Sequence, residues 1–219
     1  MEPRTIADVI ERMRTILDDL SPRDGVACFT RLYLAVTDAV NAAKGSFAAP
    51  AFLRQLDVRF ADLYFHALVD PPRAWAPLLE ARARPRVAPI QFALCGINAH
   101  INRDLPVALV ETCTELGIEL SRHGPEHADY LAVNPLLVST EARVKKEFLT
   151  GELAIADEAL QKVDDVIAMW NVERARDAAW ANAETLWSLR SSPDLAAAFL
   201  HALDGMVGFA GRGLLVPTM

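Results

Sequence analysis

Apolar residues recur at intervals of three and four along most of this chain, the spacing that aligns side chains on one face of an α-helix. The first such face is Ile6, Val9, Ile10, Met13, Ile16 and Leu17. Thr5 with Asp8 three residues on has the form of a capping box at its start, and Ser21-Pro22-Arg23-Asp24-Gly25 breaks the pattern. Val26, Phe29, Tyr33, Val36 and Val40 predict a second helix ending near Lys44-Gly45. Pro50 opens a third, which carries Phe52, Leu53, Leu56, Phe60, Leu63 and Ala67 and stops before Asp70-Pro71-Pro72. Trp75 falls in a short helix over 73–83, and a proline-rich link, Pro85 to Pro89, leads into the stretch from Gln91 to Leu109.

That stretch, QFALCGINAHINRDLPVAL, departs most from ordinary helical filler. Ile90, Leu94, Ile97, Ile101 and Leu105 keep a helical face, yet Asn98 and Asn102 lie one turn apart on one flank and His100 and Asp104 one turn apart on the other. A polar group carried into an apolar interface costs roughly 1–3 kcal/mol unless it finds a partner. Four together therefore imply a closed hydrogen-bond network or a site. Pro106 either kinks one long helix or opens a new one capped by Asp104.

Beyond Gly117 the pattern resumes in short helices around Tyr130-Leu131 and Leu136-Leu137-Val138. A long helical run follows from Leu153 to about Arg190, with Ile155, Leu160, Val163, Ile167, Trp170, Trp180, Leu186 and Trp187 on its apolar faces. The last expected helix spans Leu195 to Met206, capped by Asp194, before a glycine-rich end at Gly205, Gly208, Gly211 and Gly213. No strand-length alternation and no Asn-Gly or Asp-Gly hairpin signal occurs between β-branched runs. The expected fold is all-α, an irregular multi-helix bundle forming a single domain over 1–219.

Composition narrows the function classes. With 52% hydrophobic residues in 219, the chain has material for one substantial core. A net charge of −7 without a basic stripe predicts no nucleic-acid partner; Arg82, Arg84 and Arg86, broken by Pro85, read as a solvated loop. Cys28, Cys95 and Cys113 match no metal or redox spacing and read as buried thiols of a reducing compartment. The segment MEPRTIADVIERM is charged throughout, which predicts no signal peptide, and no apolar run of about 18 residues occurs to cross a membrane. The expected location is cytoplasmic.

Two helices each present a His and an Asp four residues apart, Asp62 with His66 and His100 with Asp104. Crossing such pairs in a bundle core is how helical proteins converge metal ligands, so His66, His100, Asp62 and Asp104 are candidate ligands for a divalent metal such as zinc, with Asp57, Asp164 or Asp165 to complete a shell. Without a metal, His100 is a candidate acid or base, with Asp104 and Asp62 as orienting carboxylates and Asn98 and Asn102 as hydrogen-bond donors to a small-molecule substrate. Arg176 suits a buried carboxylate partner. The competing reading is structural: the same His/Asp/Asn network fixes the helix ends around Pro106 in a non-catalytic ligand-binding or interaction protein.

The string Gly96-Ile97-Asn98-Ala99-His100-Ile101-Asn102-Arg103-Asp104-Leu105-Pro106, together with Phe60 to Ala67, Ala74-Trp75 and Ala175 to Trp180, resembles an uncharacterised, mainly actinobacterial family of helical proteins known as a domain of unknown function. The resemblance spans most of the chain. It implies a helical fold and singles out the same polar positions. Members of that family occur in natural-product gene clusters, so the resemblance makes a tailoring role, as a cyclase or lyase, an expectation. The His-x-x-x-Asp element is also similar to one in helical zinc-dependent phospholipases and nucleases, which implies a metal-dependent hydrolase as the other expectation, although their other His and Trp ligands are not evident here.

Overall fold

The computed structural model describes residues 3–43, 47–150 and 171–217. The expected cap at Lys44-Gly45 and the positions Ile155 to Trp170, with Asp164 and Asp165, lie outside the described residues. Among those described the fold is all-α, with no β-strand and no helix long and apolar enough to cross a membrane.

Helix α1 (Ile6–Asp19) begins with the predicted capping box: Thr5 accepts the Asp8 N–H and the Asp8 carboxylate takes the Thr5 N–H in return. Helix α2 (Gly25–Ala42) is capped by Asp24, which accepts from Val26 N at 2.8 Å and is also held by Arg82. Helix α3 (Pro50–Ala67) starts on its proline, and Asp129 ties down the chain entering it by accepting the N–H groups of Ala48 and Ala49. After the short α4 (Ala76–Ala81) comes α5 (Pro89–Ala99), whose every residue is buried. A helix buried on all sides has to be wrapped, and α2 covers one face of it. The two approach so closely that a Cβ on Gly96 would lie 2.4 Å from the Phe29 ring.

At Pro106 the helix does not restart. A π-helical turn, His100–Asp104, joins α5 to α6 (Leu105–Leu116), with Leu105 N–H reaching back five residues to His100 O. Asp104 is helical and its side chain makes no cap bond. The wider turn accommodates the proline ring that follows and removes the need for a break.

Helices α7 (Pro125–Ala132) and α8 (Asn134–Thr150) follow. The expected run through to Arg190 is not continuous. The extended Asn171 caps a separate α9 (Val172–Ser188) by accepting Arg174 N–H. The last helix, α10 (Pro193–Leu214), runs straight through the glycines that were expected to end it. Asp194 sits in its first turn, and Ser192 holds the cap position. The glycines serve packing: a Cβ on Gly208 would lie 2.4 Å from the Arg73 carbonyl oxygen, so only glycine lets α10 lie against the chain at Arg73-Ala74.

The core falls into two clusters. One gathers around Phe29, Tyr64, Trp75 and α5; the other around Phe52, Tyr130, Trp180 and α6. Val36 and Ile101 pack against both. A cavity lies at this seam, and His100 is on its wall.

Candidate functional site

The π turn brings His100 and Asp104 together. His100 Nδ1 is 3.1 Å from Asp104 Oδ2, with the two side chains 3% and 0% exposed. The same oxygen accepts the Trp75 indole N–H at 2.9 Å, and Asp104 Oδ1 accepts from Arg103 at 2.9 Å. Arg103 in turn lies 3.7 Å from Asp204 of α10, whose carboxylate accepts the N–H groups of Arg73 and Ala74 beside Trp75. The carboxylate is held on both oxygens and, paired with Nδ1, fixes the ring proton of His100 on that nitrogen, which leaves the Nε2 lone pair free.

That Nε2 is buried and has no hydrogen-bond partner among the described residues. The imidazole is clamped by aromatic rings: Phe60 stacks on it at 3.5 Å and 3°, and Tyr33 meets it edge-on at 4.5 Å. Burial lowers the pKa of His100 and outweighs the opposing pull of Asp104, so the ring is neutral at physiological pH.

The cavity holds about 120 Å³. Its walls are aliphatic and aromatic, and the charged or titratable groups on them are Tyr33, Asp57, His100 and Arg176. Burial pushes the Asp57 carboxyl up to about 7 against the pull of Arg176. Arg176 is 7% exposed; it donates to Asn134 Oδ1 and Tyr130 O at 2.7 Å each and lies over the Tyr130 ring at 3.8 Å.

The other predicted site residues are placed elsewhere. Asn98 donates to Val207 O at 3.0 Å and accepts from Asn102 at 3.1 Å, a pair that fastens α5 to α10; neither residue lines the cavity. Asp62 and His66 form a second pair at 3.4 Å, but His66 is exposed, Asp62 faces Arg59, and neither reaches the cavity. Among the described residues no group of three or more His, Cys, Asp or Glu side chains could hold a metal ion. The shell expected from His66, His100, Asp62 and Asp104 is therefore not formed by these four: His100 and Asp104 are sealed together in the core, and Asp62 pairs separately with the exposed His66. The three cysteines are buried and unpaired, with thiols raised to about 12 by burial.

Sequence reasoning missed Trp75, Phe60 and Tyr33 as neighbours of His100, and it gave Asp57 only a place in a metal shell. Helical spacing put Phe60 and Tyr33 on core faces without saying which residue they would meet.

An all-helical domain with a buried Asp–His pair beside an apolar cavity is the class that fold and site define. The chain belongs to the family of unknown function DUF5995, whose profile matches residues 6–217. No curated protein and no solved structure matches it.

Proposed function

We propose that this protein is a small-molecule enzyme in which neutral His100 acts as general base, and then as acid, on a largely apolar substrate held in the cavity. The observation that carries this reading is the Nε2 of His100: a lone pair without a partner among the described residues, in the core beside a cavity, with the opposite nitrogen locked to Asp104. A buried nitrogen without a partner costs free energy, and such costs concentrate where a ligand or substrate supplies the partner. Asp104 is a positioning residue that fixes the tautomer and stabilises the imidazolium formed during proton transfer. Trp75 and Arg103 hold that carboxylate in place. The fit is to reactions that move a proton on a substrate shielded from water, as cyclisation, isomerisation and elimination do. This agrees with a tailoring role.

The test uses D2O. Wild-type protein and His100→Gln are incubated with a host metabolite extract in D2O and followed by untargeted mass spectrometry. Deuterium uptake or conversion of a compound by the wild type alone supports the reading; identical profiles overturn it. The alternative, a non-catalytic binding protein, draws on the apolar character of the cavity and predicts ligand retention by both proteins without conversion.

A further inference from the structure

Among the described residues, Arg176 is a buried cation with no carboxylate paired to it. Its described hydrogen-bond acceptors, Asn134 Oδ1 and the Tyr130 carbonyl, are neutral, as is the Tyr130 ring beneath it. Among the described residues no carboxylate forms an ion pair with it. Asp57 shares its cavity wall and is the acid whose field it feels, yet the two do not pair. Taking a guanidinium out of water costs several kcal/mol unless charge and hydrogen bonds are restored. Here that cost is met at the wall of an otherwise apolar cavity.

We infer that the cavity takes a short-chain monocarboxylic acid, with its carboxylate on Arg176 and its apolar body extending along the aliphatic wall toward His100. The inference rests on the cavity being the ligand site proposed above, and it adds the chemical class. Each part of the ligand answers an observation. A single negative charge balances one guanidinium, and a planar carboxylate suits the guanidinium fork better than a tetrahedral dianion does. Asp57, raised to about 7, is protonated in a large share of molecules at neutral pH, and in that form it is a second donor to a ligand carboxylate. The size follows from the volume: an apolar cavity of roughly 150 Å³ holds benzene, so 120 Å³ accepts a body of about five carbons.

Isothermal titration calorimetry on the whole protein at pH 7 compares hexanoate with hexan-1-ol and hexylamine, and the ¹⁵N resonances of His100 report whether the probe sits in the cavity. Hexanoate is expected to bind at least about tenfold more tightly than hexanol, since a charge-assisted hydrogen bond is worth that much, and hexylamine not at all. Arg176→Lys retains a preference for the acid, whereas Arg176→Gln brings hexanoate down to the level of hexanol or below. Asp57→Asn, which removes the competing negative charge, tightens hexanoate and leaves hexanol unchanged. Should Arg176→Gln not fold, the wild-type comparison and Asp57→Asn decide the matter alone. Hexanol binding as tightly as hexanoate in the cavity overturns the carboxylate assignment while the cavity remains a ligand site. No binding of any probe overturns both.

Discussion

The Trp75 indole N–H donates at 2.9 Å to the same Asp104 oxygen that faces His100 Nδ1. Trp75 precedes α4 and Asp104 ends the π turn, so this bond ties a loop-borne aromatic to the residue that controls the imidazole. Both partners are fully buried. Trp75→Phe keeps most of the ring packing but removes one donor from a buried carboxylate, and a loss of about 2–3 kcal/mol is expected in urea unfolding. Asp104→Asn strands His100 and Arg103 as well, and the expected loss is about 3–5 kcal/mol. Losses under about 1 kcal/mol for both would show that the network does not hold the site together.

The state of His100 is directly observable. Long-range ¹H–¹⁵N spectra at pH 7 are expected to show a neutral ring protonated on Nδ1, with a pKa below the ordinary 6.5 because burial disfavours the imidazolium. The unfolded chain then takes up this proton before the folded one does as pH falls through 6.5. Stability contributed by His100 is thus present above that pH and declines on acidification. His100→Gln should remove this part of the acid-side decline. A protonated His100 in the folded protein at pH 7 contradicts the base role.

Much of the frame is legible in local sequence, because caps and helix faces depend on residues three or four apart. The Thr5–Asp8 box, the Pro50 start and the i,i+4 contacts of His100 with Asp104 and of Asn98 with Asn102 are all of this kind. What distinguishes a site from a strut is long-range. Asn98 and His100 look alike as polar interruptions, yet Asn98 finds the Val207 carbonyl 109 residues away while His100 Nε2 has no partner among the described residues. Arg176 is buried as expected, but the carboxylate partner anticipated for it is replaced by Asn134 and the Tyr130 carbonyl. The glycines of α10 read as a helix end by propensity, and their use is visible only once Arg73 is seen against Gly208.

That contact yields a pair of substitutions with opposite signs. Gly208→Ala drives a methyl to 2.4 Å from the Arg73 carbonyl, a backbone atom that cannot turn aside. A loss of about 1–3 kcal/mol is expected from overpacking. Gly205→Ala, three residues earlier on the same helix, meets nothing within 4 Å and should gain about 0.5–1 kcal/mol by relieving glycine of its helix penalty. Thermal melts of the two proteins measured together check the sign, and a stabilised Gly208→Ala would place α10 further from Arg73 than it stands here.

Asp57 makes a prediction that runs against that of His100. Its carboxyl rises from an ordinary 3.8 to about 7 through burial, so the folded protein holds a proton that the unfolded chain has already released across that interval. With more protons bound to the folded state, stability falls as pH rises from about 4 to about 7 and stays reduced above it. At about 1.4 kcal/mol per pH unit the upper bound is about 4.5 kcal/mol, and because Asp57 is only partly buried the effect is smaller to the extent that solvent screens the charge. Asp57→Asn keeps the shape and removes the titration. The variant should therefore be more stable than the wild type at pH 8, by about 1–3 kcal/mol, with the difference shrinking toward pH 4. Urea unfolding of both proteins at pH 5, 6.5 and 8 reads the trend. A difference that does not change with pH would mean that Asp57 is solvated in the folded protein, and the cavity would then lack the dry wall on which the carboxylate site depends.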